Sequence, residues 1–178
     1  MAQLILGICY RDGNGVDEDQ EEAFQWFLKA AEQGIAYAQN QVGICYHSGR
    51  GVEQNEVEAV SWYMKAAEQG YAEAQYKLGL CYRDGDGVDK DQKEAFKWFL
   101  KAAEQGNAKA QVEVGDFYYN GSGVEQSYEE AVSWYKKAAE QGNALAQINL
   151  TRLEFGRIGR EFGRMREEKL KRRNERKP

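Results

Sequence analysis

Histidine is almost missing from this chain: His47 stands alone among 178 residues. Without a second imidazole, the usual His-rich metal sites are excluded. His47 also has no recurrent cysteine or carboxylate motif beside it, which argues against a catalytic role. No apolar run approaches the ~20 residues of a membrane-spanning helix. The stretch Leu4-Ile5-Leu6-Gly7-Ile8-Cys9 lacks the basic leader of a signal peptide. The cysteines are only three, Cys9, Cys45 and Cys81, spaced evenly. Equivalent residues on stacked helices sit ~8–10 Å apart, beyond the ~7 Å limit for a disulfide. They read as buried apolar side chains, and unpaired thiols fit a reducing compartment. A cytoplasmic location is expected.

Charge of one sign is short as well. Residues 1–151 carry 13 Lys and Arg against 24 Asp and Glu, a net of −11. An acidic body disfavours nucleic acid and anionic membrane. Residues 152–178 reverse the sign, with 11 against 5. Lys169-Leu170-Lys171-Arg172-Arg173 invites a nuclear-targeting or RNA-binding reading, but no aromatic residues interleave, and a solvated tail is expected.

What the chain has in abundance is repetition. Ala95-Phe96-Lys97-Trp98-Phe99-Leu100-Lys101-Ala102-Ala103-Glu104-Gln105-Gly106 has counterparts beginning at Ala23, Ala59 and Ala131, always 36 residues apart. A constant period of this length marks a stacked array. Four repeats are predicted, over 2–37, 38–73, 74–109 and 110–145. A partial repeat and capping helix follow over 146–168, then a basic tail over 169–178. Repeats one and three resemble each other, as do two and four, which suggests duplication of a 72-residue pair.

Within a repeat, the second half is the clearer helix. It opens on a capping-box pattern, Asp19…Glu22, Asn55…Glu58, Asp91…Glu94 and Ser127…Glu130. Ala95, Trp98, Phe99, Ala102 and Ala103 then form one buried face. Gly106 ends the helix. The first half places Ala74, Leu78, Cys81 and Tyr82 on one face. Gly7, Gly43, Gly79 and Gly115 interrupt these helices at ~1 kcal/mol each relative to Ala, so a neighbouring helix or Trp must need the room. A Gly-x-Gly-Val loop joins the halves, its Val pinning the turn to the core. Trp26, Trp62, Trp98 and Trp134 are expected to pack in that core.

Two chemical readings fail on residue type. The Gly-x-Gly loops follow no strand and lack the Lys-Ser/Thr of a phosphate loop. Asp84, Asp86, Asp89 and Asp91 begin like a calcium loop, but Val88, Asp89 and Ala95 fall where its third ligand, its turn Gly and its final Glu belong. No acid–base pair or nucleophile recurs. No catalytic, cofactor or metal residues are therefore assigned.

The assembled residues resemble the Sel-1-like repeat family, relatives of the tetratricopeptide repeat. In the third copy the matching positions are Ala74, Leu78-Gly79, Tyr82, Gly85, Gly87-Val88, Asp91, Ala95, Trp98, Lys101-Ala102-Ala103-Glu104 and Gly106. The resemblance implies an all-α fold, a right-handed solenoid superhelix of antiparallel helix pairs. It also implies adaptor work, with protein or peptide partners held on a concave side lined by the first helices. A secreted branch of the family carries two disulfide-bonded cysteines per repeat and is associated with β-lactams. This chain departs from it, with at most one cysteine per repeat, and that activity is not carried over.

Positions that differ among the copies of the first helix are the contact candidates. Asn40 and Tyr76, then Asp116, then Arg11, His47, Arg83 and Tyr119 stand at offsets of 0, 4 and 7, which share a helix face. Lys77 and Glu113 vary one position round. The reading is a non-enzymatic scaffold that binds a protein or peptide. The alternative is a nucleic-acid- or membrane-associated protein that works through its basic tail. Ile5 stands where later copies have Gln41, Lys77, Glu113 and Asn149. With no polar cap ahead of it, the start reads either as a piece of a longer array or as a contact surface, and end-to-end self-association is expected for the latter. At the other end, Phe155, Ile158, Phe162 and Met165 form an amphipathic seam expected to cap the array.

Overall fold

A computed structural model describes the backbone of residues 1–175 and the side chains of residues 1–156 and 162–169. Among the described residues there are nine α-helices. Four pairs make the repeats: α1 (Ala2–Asp12) with α2 (Gln20–Glu32), α3 (Ala36–Ser48) with α4 (Glu56–Glu68), α5 (Ala72–Asp84) with α6 (Gln92–Glu104), and α7 (Ala108–Asn120) with α8 (Tyr128–Glu140). The ninth, α9 (Ala144–Glu175), begins as the first helix of a fifth repeat. Each helix packs on its neighbours in sequence, so the core is a continuous stripe, as in a solenoid.

The second helices start where the sequence places them, but only half of the capping box forms. Asp19 Oδ1 accepts from the amides of Glu21 and Glu22 at 3.0 Å each, and Asn55 and Asp91 act alike. Ser127 Oγ accepts from the Glu130 amide at 3.2 Å. The reciprocal bond from the Glu is replaced. Each N-cap amide donates to the carbonyl of a first-helix tyrosine: Asp19 to Tyr10, Asn55 to Tyr46, Asp91 to Tyr82 and Ser127 to Tyr118, at 2.8–2.9 Å. The loop folds back far enough for a backbone acceptor to reach this amide first, and it locks the two helices of a pair together.

The glycine within each first helix makes room for a ring, and that ring is not the tryptophan. A Cβ on Gly43, Gly79 or Gly115 would lie 2.5–2.6 Å from Tyr63, Phe99 or Tyr135, the residue after the Trp; at Gly7 it would lie 2.7 Å from Phe27. These four rings are almost completely buried. The tryptophans sit nearer the rim: Trp26 and Trp62 are half-buried, Trp98 and Trp134 nearly buried. A lysine one turn on lies over each indole, Lys29, Lys65, Lys101 and Lys137, with Nζ 3.6–4.1 Å from the ring centroid.

Stacking between repeats rests on the loops and on a ladder of glutamines. The second glycine of each later loop lies against the start of the preceding second helix: Gly51 on Gln20, Gly87 on Glu56, Gly123 on Gln92. Val52, Val88 and Val124 tuck into the apolar clusters beside them. Meanwhile Gln69 Nε2 donates to Gln39 Oε1 at 2.7 Å, and Gln39 Nε2 donates to the Ala31 carbonyl at 3.2 Å. Gln105–Gln75–Ala67 and Gln141–Gln111–Ala103 repeat the arrangement. The inner glutamines are buried, so each satisfied amide ties three successive helices together.

Only the first turns of α9 cap the array. Ala146, Leu150 and Leu153 pack beside Tyr135 and Ala138. The seam read as a cap faces solvent instead, with Phe155, Phe162 and Met165 exposed; the Ile158 side chain lies outside the described residues. The backbone of α9 is helical past Lys169, into the stretch read from the sequence as a basic tail. The side chains of Leu170, Lys171, Arg172 and Arg173 lie outside the described residues. Among the described residues, no helix is long and apolar enough to cross a membrane.

Candidate functional site

The first helices bring several of the expected residues to one side, His47 with Lys77 and Asp116 with Tyr119, but not Asn40. Asn40 is 1% exposed and is not a contact residue. Tyr76, at the equivalent position, is half-buried with its ring 5.9 Å from that of Phe99. This position faces the second helix of its own repeat. Lys77 and Glu113, one residue on, reach the surface instead and meet the end of the preceding first helix.

One ion pair crosses from repeat to repeat here. Arg83 holds Asp84 at 2.7 Å and reaches Glu113 in the next repeat at 2.8 Å. The guanidinium keeps the Asp84 carboxyl below its ordinary range. Burial pushes Glu113 upward, against the pull of Arg83. Arg11 is tied to Asp12 at 2.7 Å and donates to the Tyr37 hydroxyl at 3.3 Å. His47 is exposed, with Nδ1 2.7 Å from Glu56 Oε2. The Tyr119 ring packs edge-on against Tyr128 at 5.4 Å.

Two clefts open on this surface, at the same place in repeats 72 residues apart. One, of about 140 Å³, is lined by His47, Tyr63, Lys77, Leu80, Asp84 and Asp86, among others. The other, of about 360 Å³, is lined by Asp116, Tyr119, Tyr135, Ile148, Asn149 and Arg152, among others. The structure thus joins His47 with Lys77, and Asp116 with Tyr119. In the larger cleft Asp116 Oδ1 accepts from the Tyr135 hydroxyl at 2.5 Å and from Asn149 Nδ2 at 3.2 Å. Burial raises the Asp116 pKa, and the hydroxyl opposes the rise. The smaller cleft has Ile44 at the place of Asp116, and the buried Tyr63 hydroxyl has no partner. Burial holds the Tyr63 phenol well above its ordinary pKa, so it remains a donor.

Sequence reasoning missed Tyr63 and Tyr135 as polar groups of this face. The signal was there: repeats one and three carry Phe27 and Phe99 at that position. A contrast in stability follows. Tyr63→Phe removes an unsatisfied buried hydroxyl and is expected to stabilise the fold by about 1 kcal/mol. Tyr135→Phe strips the hydroxyl from a half-buried carboxylate and is expected to cost about 1–2 kcal/mol. Urea denaturation of both variants measures the opposite signs.

Of the cysteines, Cys81 also lines the smaller cleft. Cys9, Cys45 and Cys81 are free, and burial raises the thiols of Cys45 to about 11 and Cys81 to about 12. Such thiols are protonated and inert at neutral pH.

Stacked helix pairs with a long open face, in place of an enclosed site, define an α-solenoid repeat protein. The chain belongs to the Sel1 repeat family, whose model matches residues 1–35, 36–71, 72–107 and 108–143. These boundaries fall about two residues ahead of those read from the sequence. The structure of a Sel1 repeat protein from Oxalobacter formigenes is 46% identical with a TM-score of 0.79, covering 84% of this chain and 61% of its own. That of c5321, a protective antigen of uropathogenic Escherichia coli with an SLR fold, is 40% identical with a TM-score of 0.84. The match covers 87% of this chain and 33% of c5321. Helicobacter pylori cysteine rich protein B is 26% identical with a TM-score of 0.58, covering 75% of this chain and 96% of that one. The chain therefore spans 61% and 33% of the first two relatives. No curated protein matches it. Proteins of this family are generally scaffolds for protein interaction.

Proposed function

We propose that this chain is a non-enzymatic scaffold that holds a protein or peptide along its first-helix face. The observation that carries the reading is the recurrence of a cleft at the same point of that face, once per 72-residue unit, with hydrogen-bonding groups at its base. A periodic row of such clefts suits an extended chain, which presents side chains at regular intervals. Lys77, His47 and Tyr119 are the assigned contacts. Arg11, Arg83, Glu113 and Asp116 shape the surface through their mutual bonds.

Affinity capture from native lysate, read by quantitative mass spectrometry, tests this. The triple variant His47→Ala, Lys77→Ala, Tyr119→Ala is expected to lose at least about tenfold of the specifically captured protein, a change of about 1.4 kcal/mol in binding. Its melting temperature should stay close to that of the parent. Deleting residues 169–178 should leave capture intact. Loss of capture on that deletion alone would favour the tail-based alternative, which nothing in the fold or the related proteins supports.

A further inference from the structure

The two clefts are the same site in two states of occupancy. Tyr63 corresponds to Tyr135, His47 to Tyr119, Lys77 to Asn149 and Leu80 to Arg152, each 72 residues apart. In the larger cleft the chain supplies its own acceptor. The Asp116 carboxylate takes hydrogen bonds from the Tyr135 hydroxyl and from Asn149. In the smaller cleft both donors are kept and the acceptor is gone. Ile44 replaces the aspartate, the Tyr63 hydroxyl is left without a partner although its residue is 1% exposed, and Lys77 stands at the place of Asn149.

Exchange of Asn149 for Lys77 moves the donor pair from one suited to a resident carboxylate to one carrying a positive charge. Lys77 forms no ion pair among the described residues. Of the two aspartates at the rim, Asp84 is held by Arg83 at 2.7 Å, and Asp86 is exposed. His47 is occupied with Glu56. The free groups of the cleft are therefore two donors, the Tyr63 hydroxyl and the cationic Lys77, with the Asp86 carboxylate at the solvent-facing rim. Its volume, about 140 Å³, suits one short side chain.

We propose that the cleft between the second and third repeats takes one carboxylate side chain, Asp or Glu, from an extended segment of the protein partner. Asp116 is the internal picture of that contact. The incoming carboxylate would accept from the Tyr63 hydroxyl, as Asp116 accepts from Tyr135, and would pair with Lys77. Charge-assisted bonds of this kind are the stronger ones, and they are stronger again where water is excluded. The proposal rests on the first-helix face being the binding surface.

Acetyl-Ala-Asp-Ala-amide and its Asn counterpart are the probes, titrated at millimolar concentration into protein labelled at the tyrosine rings and backbone amides for NMR. The Asp peptide is expected to shift Tyr63 and Lys77 saturably, with an affinity at least about tenfold above that of the Asn peptide. Tyr63→Phe should abolish this preference. The variant will fold, since Phe27 and Phe99 fill the same position in repeats one and three. Tyr135→Phe should leave the preference unchanged. Equal affinities for the two peptides, or a preference that survives Tyr63→Phe, would overturn the carboxylate pocket while shifts at Tyr119 and Arg83 still uphold the face. Absence of any shift with either peptide would remove both.

Discussion

Alanine at Gly87 is expected to part the second repeat from the third, at a cost of about 2–5 kcal/mol. Two terms contribute. The backbone there has φ +71°, in the left-handed region, which costs an L-residue about 1–2 kcal/mol. The new Cβ would also overlap the Glu56 carbonyl at the start of α4. That neighbour is backbone and cannot rotate aside, so the loop must lift from the helix it stacks on. Overpacking of this kind adds about 1–3 kcal/mol. Gly15 is the control, with φ +78° and nothing within 4 Å. Gly15→Ala should lose only the backbone term. Because repeat arrays are held by nearest-neighbour interfaces, Gly87→Ala should also broaden the urea transition and lower its slope. Equal losses for the two variants would mean that the loops do not carry the stacking.

Phe99→Ala is expected to cost about 3–5 kcal/mol, the range for a buried aromatic. Its ring is fully buried, between Tyr76 and Phe117 and directly over Gly79. The stronger statement concerns the pair. Gly79→Ala alone should cost about 1–3 kcal/mol, because its Cβ would lie 2.6 Å from the ring. In the Phe99→Ala background the obstruction is gone. Alanine should then be neutral there, or stabilising by up to about 1 kcal/mol through helix propensity. A double-mutant cycle by urea denaturation should report a coupling of roughly 2 kcal/mol. Additive losses would show that the glycine is retained for another reason.

Much of this was legible in the chain. The period, the caps Asp19, Asn55, Asp91 and Ser127, the glycine stops and the buried alanines are local signals, and each formed in register. Partial failures came where a choice depended on a neighbour. The space at Gly79 was given to a neighbouring helix or Trp, and the neighbouring helix takes it through Phe99, one residue after the Trp. The capping box was half right because Tyr10, Tyr46, Tyr82 and Tyr118 supply a carbonyl that periodicity does not show. On the first-helix face, Asn40 went to the surface in the reading and to the core in the fold, whereas His47, Lys77, Asp116 and Tyr119 line the clefts. Helical spacing defines an angle between residues. It does not define which side of the wheel meets the second helix.

By itself, then, the sequence determined an all-helical array of four repeats with its caps and glycine stops, because those properties follow from residue type and spacing within one 36-residue period. The tertiary structure alone decided what the surface offers. Tyr63 and Tyr135 are both tyrosines in near-identical repeats, yet one hydroxyl is bonded to Asp116 and the other to nothing. That difference arises from residues 19 positions away along the chain and from the next repeat. Hydrogen bonds are satisfied in space, and a buried donor becomes open to a ligand only when packing has removed every acceptor near it.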